Sequence, residues 1–118
     1  MMKYEYRYNR RTEERTSFPV QVFFNGQSGR GGLTVNTSRS GALVNTTEKF
    51  QPGDRLSIRF ETDIASIPEV PAVVVRAEPA TQPDRNLLGI KFLRPNAPLM
   101  DIVKLDKQLH EGLGEPLV

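Results

Sequence analysis

Apolar and polar residues alternate along most of this chain, and a two-residue period predicts strands. From Phe18 to Phe24, Val20, Val22 and Phe24 fall on one face, with Gln21 and Phe23 on the other. Pro19, which has no N–H to give a ladder, makes the start of that run a bend or a sheet edge. Arg55 to Phe60 carries the clearest half-buried pattern, Leu56, Ile58 and Phe60 alternating with Arg55, Ser57 and Arg59. Leu87 to Leu93 repeats it with Leu88, Ile90 and Phe92 inward, and Ala72 to Glu78 is rich enough in β-branched residues to form a strand. Two short runs, Leu33 to Val35 and Gly41 to Asn45, flank a polar corner. Asn25 to Gly32, with four glycines, reads as a flexible hairpin tip, and Pro52-Gly53-Asp54 as a turn. Glu61 to Val70 reads as a polar loop stopped by Pro68 and Pro71, and Pro79 to Asp84 as a further loop. The fold class expected is mainly β: six short strands joined by Gly/Pro turns, closing into a small antiparallel barrel.

The period then changes. Leu99, Ile102, Val103, Leu105 and Leu109 recur at helical spacing over Asp101, Lys104, Lys107 and Gln108. Asn96 is a suitable N-cap, Pro98 fits the first turn, and Gly112 and Gly114 end the pattern. The expectation is a C-terminal helix laid across the barrel with its apolar face in the core. Residues 1–15 lack a core-forming pattern and read as a flexible arm, although the alternating Tyr4, Tyr6 and Tyr8 also suit a strand edge. The organisation expected is therefore an arm over 1–15, a barrel with its helix over 16–110, and a tail over 111–118.

Length and composition narrow the classes. A chain of 118 residues is one domain with a single core. It contains no cysteine, which excludes disulfides, zinc–thiolate sites and thiol nucleophiles. The first residues are charged and have no apolar h-region, and no run reaches membrane-spanning length. A cytoplasmic protein without membrane insertion is expected. The net charge of +2 hides an asymmetry: seven basic residues stand against three acidic ones through Gly41, and nine against eleven after it. This modest local excess points to a compact anion rather than a nucleic-acid track, which needs more charge.

Catalytic chemistry is poorly supplied, and no enzyme is expected. The only histidine, His110, falls in the last turn of the predicted helix, where a cation suits the helix dipole. Ser38 and Ser40 have no base beside them in the sequence, and the acidic residues are scattered. The sequence shows no metal-ligand pattern and calls for no cofactor. Binding chemistry is better represented. Arg10, Arg11 and Arg15 offer guanidinium forks that hold phosphate oxygens or guanine O6/N7 in a bidentate way and stack on purine faces. About twenty residues on, the corner Asn36-Thr37-Ser38-Arg39-Ser40-Gly41 gathers amide, hydroxyl and guanidinium groups with backbone N–H groups, an arrangement that holds oxyanions and base edges. Its Gly suits a turn needing φ > 0, and its Asn and Ser side chains suit bonds to nearby backbone.

Together, Arg11-Thr12-Glu13-Glu14-Arg15 and Asn36-Thr37-Ser38-Arg39-Ser40-Gly41 resemble the paired motifs of the PilZ domain family, bacterial receptors for cyclic di-GMP. Those motifs are Arg-x-x-x-Arg in an N-terminal arm and (Asp/Asn)-x-Ser-x-x-Gly on the barrel. Leu88-Gly89-Ile90-Lys91-Phe92 is similar to the strand that ends such domains before their helix. The resemblance implies a six-stranded antiparallel PilZ-type barrel with a C-terminal α-helix. It implies that Arg11 and Arg15 grip guanine edges and phosphates, that Asn36 and Ser38 hold a base edge and a phosphate beside Arg39, and that Gly41 keeps the corner open. An arginine immediately before the first motif favours a stacked pair of ligands in this family, and Arg10 stands there. The expected partners are thus cyclic di-GMP, two molecules per chain, and a downstream protein that receives the signal. Two other readings remain: a PilZ-fold interaction module with weak or lost ligand binding, and a small nucleic-acid-binding barrel suggested by the basic, tyrosine-bearing arm.

Overall fold

The computed structural model describes residues 14–114, as seven strands and one helix. In chain order these are β1 (Arg15–Thr16), β2 (Gln21–Phe24), β3 (Gln27–Ser38), β4 (Gly41–Thr46), β5 (Arg55–Glu61), β6 (Ser66–Pro79), β7 (Asn86–Phe92) and α1 (Ala97–Gly114). The sheet runs β1-β3-β2-β5-β6-β7-β4, and a β3–β4 pairing closes it. Six strands therefore form a closed, wholly antiparallel barrel. Strand β1 is the seventh, paired with the end of β3 on the edge opposite β4. Closure leaves the barrel without a raw edge, the usual solution for a small all-β domain.

The inward positions are those that alternation marks. Val20, Val22 and Phe24, Leu56, Ile58 and Phe60, and Leu88, Ile90 and Phe92 are all buried, with Ala42, Val44, Val70, Ala72 and Val74 between them. Phe60 and Phe92 meet edge to face at 5.7 Å. Leu99 and Val103 from α1 join the same cluster, so the helix seals the barrel. Asn96 caps it as expected: its Oδ1 accepts the N–H of Leu99 at 3.1 Å.

Three expectations change. The glycine-rich run is no flexible tip: only Asn25 and Gly26 turn, both at positive φ, and Gln27 onward is strand. Gly31 and Gly32 are required by close backbone approach, because a Cβ on either would run into the carbonyl of Val22 or Asn45. Likewise the polar stretch before Val70 shrinks to a turn at Thr62–Ala65, closed by Thr62 N–H to the Ala65 carbonyl at 3.0 Å. Strand β6 then runs through both prolines, with a register irregularity between Ile58 and Phe60 opposite Pro68 and Glu69. A bulge leaves Pro68 with no ladder N–H to supply.

The third change is the helix face. Leu99, Met100 and Val103 are buried, as is Asp106, whereas Leu105 and Leu109 are about half exposed. Among the described residues no helix is long and apolar enough to cross a membrane.

Candidate functional site

The second motif occupies the end of β3, a two-residue turn and the start of β4. A register irregularity between Thr34 and Asn36 lets Asn36 stand opposite Leu43. Leu43 lies between two inward residues, Ala42 and Val44, so it points outward and Asn36 does too. On the other edge of β3, β1 places Arg15 opposite Ser38 and Thr16 opposite Thr37. That pairing lets Nη1 of Arg15 donate to Oδ1 of Asn36 at 3.1 Å. The two motifs thus meet, 21 positions apart, through one polar contact on the barrel's outer face. A guanidinium has five N–H donors in a planar fork, of which this contact uses one. Glu14, just upstream, pairs with Lys104 of α1 at 2.5 Å. Arg10 and Arg11 lie outside the described residues.

Ser38 is the last residue of β3. It is fully buried, its Oγ donates to the carbonyl of Gly41 at 3.3 Å, and it accepts the N–H of Ser40 at 3.3 Å. Its hydroxyl shapes the turn. Arg39, at the tip, is exposed. The turn is also held from outside: Asn96 N–H donates to the Arg39 carbonyl at 2.7 Å, and Phe92 N–H to the Ser40 carbonyl at 2.8 Å. The start of α1 and the end of β7 therefore both fix the motif.

Gly41 has a different reason from the one its turn position suggests. It is not among the glycines at positive φ. A Cβ there would run into the Ile90 carbonyl, because β4 and β7 lie against each other at that point. Glycine here permits close strand approach.

Cross-strand register adds residues that no motif marks. Asn36 pairs with Leu43, Leu43 with Gly89, and Gly89 with Arg76. This outward row crosses three strand spacings, about 14 Å. Gly89 leaves it low in the middle, and the guanidinium of Arg76 stands at its far end, 4.0 Å from Glu78. The row is a shallow platform with a cation at each end. Alternation marks Leu43 and Gly89 as outward, but Asn36 and Arg76 face outward only because the register shifts just before each, and only register shows that the four are neighbours.

Comparisons with known proteins agree with this architecture. A family model described as the PilZ domain matches residues 9–105. Among solved structures, the inhibitor of motility MotI/DgrA of Bacillus subtilis is similar with a TM-score of 0.62 and 19% identity over 87% of this chain. The match spans only 52% of that protein. The PilZ domain of YcgR from Escherichia coli, determined with c-di-GMP, is similar with a TM-score of 0.59 and 13% identity. That match covers 88% of this chain and 94% of the other. No curated protein matches the sequence.

Proposed function

The chain belongs to the PilZ domain family, and from that premise we propose that it is a receptor for cyclic di-GMP that signals to a protein partner. The observation that carries the reading is the Arg15–Asn36 contact at the head of the outer platform. The guanidinium is fixed by one bond to Asn36 and presents its remaining donors to a phosphate or to guanine O6/N7. The Asn36 side chain offers an amide beside it to a base edge. Leu43 and Gly89 give a purine a flat apolar floor, and Arg76 supplies a second positive charge. In this reading Ser38 and Gly41 act by holding the turn and the strands rather than by touching ligand.

The arm completes the site. Arg11 is four positions before Arg15, so chain length alone limits its Cα to about 14 Å from that of Arg15, and Arg10 is one position further. Both reach over the platform, and Arg10 stacks on the outer face of a second ligand, giving two molecules per chain. Closure of the residues that precede Glu14 over the ligand changes the surface beside α1, where Glu14 meets Lys104, and that altered surface is what the partner reads. Ligand should accordingly protect Arg10, Arg11 and Arg15 from trypsin.

The test is a competition experiment with labelled cyclic di-GMP, challenged by unlabelled cyclic di-GMP, linear GpG and a single-stranded oligonucleotide at rising salt. Displacement by the cyclic ligand alone supports the reading. Absence of binding supports an interaction module of the same fold. Displacement by the oligonucleotide with a steep salt dependence supports a nucleic-acid-binding barrel.

A further inference from the structure

The fold brings together, far from the arginine motif in sequence, three side chains that sequence spacing keeps apart. Asp106 and His110 sit four residues apart on one side of α1, and Asp63 comes from the β5–β6 turn that faces them. One ligand atom from each lies within 4.8 Å of the others.

The hydrogen bonds assign the imidazole's two nitrogens. Nδ1 lies 2.9 Å from the Asp106 main-chain carbonyl, an acceptor only, so Nδ1 carries the proton and donates it. That bond fixes the tautomer in which Nε2 presents a lone pair. Yet Nε2 faces Oδ2 of Asp63 at 2.9 Å, and a lone pair and a carboxylate repel at that distance. Something positive must stand between or beside them, either a second proton or a metal cation.

Asp106 helps to decide between these. The residue is 4% exposed, and its Oδ1 has no hydrogen-bond partner among the described residues. Oδ1 is aimed at the imidazole, 3.5 Å from Nδ1. A proton on Nε2 would satisfy Asp63 and leave Oδ1 of Asp106 with the 3.5 Å approach of Nδ1 and no hydrogen bond, whereas a cation can take one ligand atom from each of the three residues.

We propose that Asp63, Asp106 and His110 form a site for a divalent transition cation of the Zn²⁺ class. One imidazole and two carboxylates form a mixed donor set that suits Zn²⁺ better than the all-oxygen preference of Mg²⁺ or Ca²⁺. Ligand atoms around a tetrahedral zinc stand about 3.3 Å apart. The exposed side chains of Asp63 and His110 reach that spacing by small rotations. Three protein ligands leave a fourth position for water. Bound there, the cation ties the last turns of α1 to the β5–β6 turn. Phe18, three residues beyond Arg15, packs on the His110 ring with centroids 5.4 Å apart.

The experiment is calorimetric titration of the tag-free full chain with zinc chloride, then with magnesium chloride, well above the ordinary imidazole pKa of about 6.5. The same titrations are run on His110→Gln and Asp63→Asn, both at exposed positions. Nitrogen-15 spectra of the single imidazole are recorded in parallel. One saturable zinc equivalent is expected, weakened at least about tenfold in each variant, with the Nε2 resonance moving and Nδ1 staying protonated. The proposal is overturned if zinc does not saturate, if His110→Gln binds it equally well, if magnesium binds as tightly, or if the imidazole resonances do not move.

Discussion

Arg15 and Asn36, 21 positions apart, are joined by a hydrogen bond of 3.1 Å from the guanidinium to the side-chain carbonyl. Each residue thereby aims the other, and a ligand resting on both meets a prepared pair. Asn36→Ala should weaken cyclic di-GMP binding by about 1–3 kcal/mol, since it removes a base-edge partner and the anchor of Arg15. Because the two act together, Arg15→Ala/Asn36→Ala should lose less than the sum of the single losses. A double-mutant cycle on ligand affinity measures this, and strict additivity would mean that the two residues do not share a ligand.

Gly41 is predicted to matter for the barrel. Gly41→Ala drives a methyl into the Ile90 carbonyl and should destabilise the fold by about 1–3 kcal/mol. Urea unfolding should show a lower midpoint, while the folded fraction keeps its ligand affinity. A stable variant with lost binding would instead place Gly41 against the ligand.

Asn96 links the helix to the motif in two ways, and one substitution separates them. Asn96→Ala removes the cap on Leu99 and should cost about 1 kcal/mol of stability. It leaves the main-chain N–H that holds the Arg39 carbonyl. Hydrogen exchange should quicken in the first turn of α1 and stay unchanged at the main-chain N–H of position 96, which donates to the Arg39 carbonyl.

The helix face gives a contrast in stability. Leu99→Ala empties a fully buried position and should cost about 2–5 kcal/mol. Leu105→Ala changes a half-exposed one and should shift stability by no more than about 0.5 kcal/mol. Equal losses in thermal unfolding would return Leu105 to the core.

Much of the barrel was legible because alternation reports directly which residues face inward: Val22, Ile58 and Ile90 were readable as core from their neighbours alone. The capping of α1 by Asn96 was legible for a similar reason, being a local event. What escaped were features set by the approach of distant backbone. Gly31 and Gly32 look like a loop until Val22 and Asn45 are seen to press against them. Pro68 looks like a stop until a bulge receives it. Hydrophobicity alone sets the helix phase wrongly because Asp106, polar yet buried, takes a place that it gives to Leu105 or Leu109. In the site, the order of the two motifs was visible, but their meeting depends on β1 pairing with β3. The platform through Leu43, Gly89 and Arg76, and the grouping of Asp63 with His110, exist only in register and fold.

Whether the paired motifs hold cyclic di-GMP is decided by calorimetric titration of the full chain against its Arg15→Ala variant. Wild type should bind saturably with two ligands per chain, and the variant should lose about 1–3 kcal/mol of affinity while unfolding at the same temperature. Uptake of no cyclic di-GMP by wild type, or binding by Arg15→Ala as tight as by wild type, would contradict a ligand site at the paired motifs.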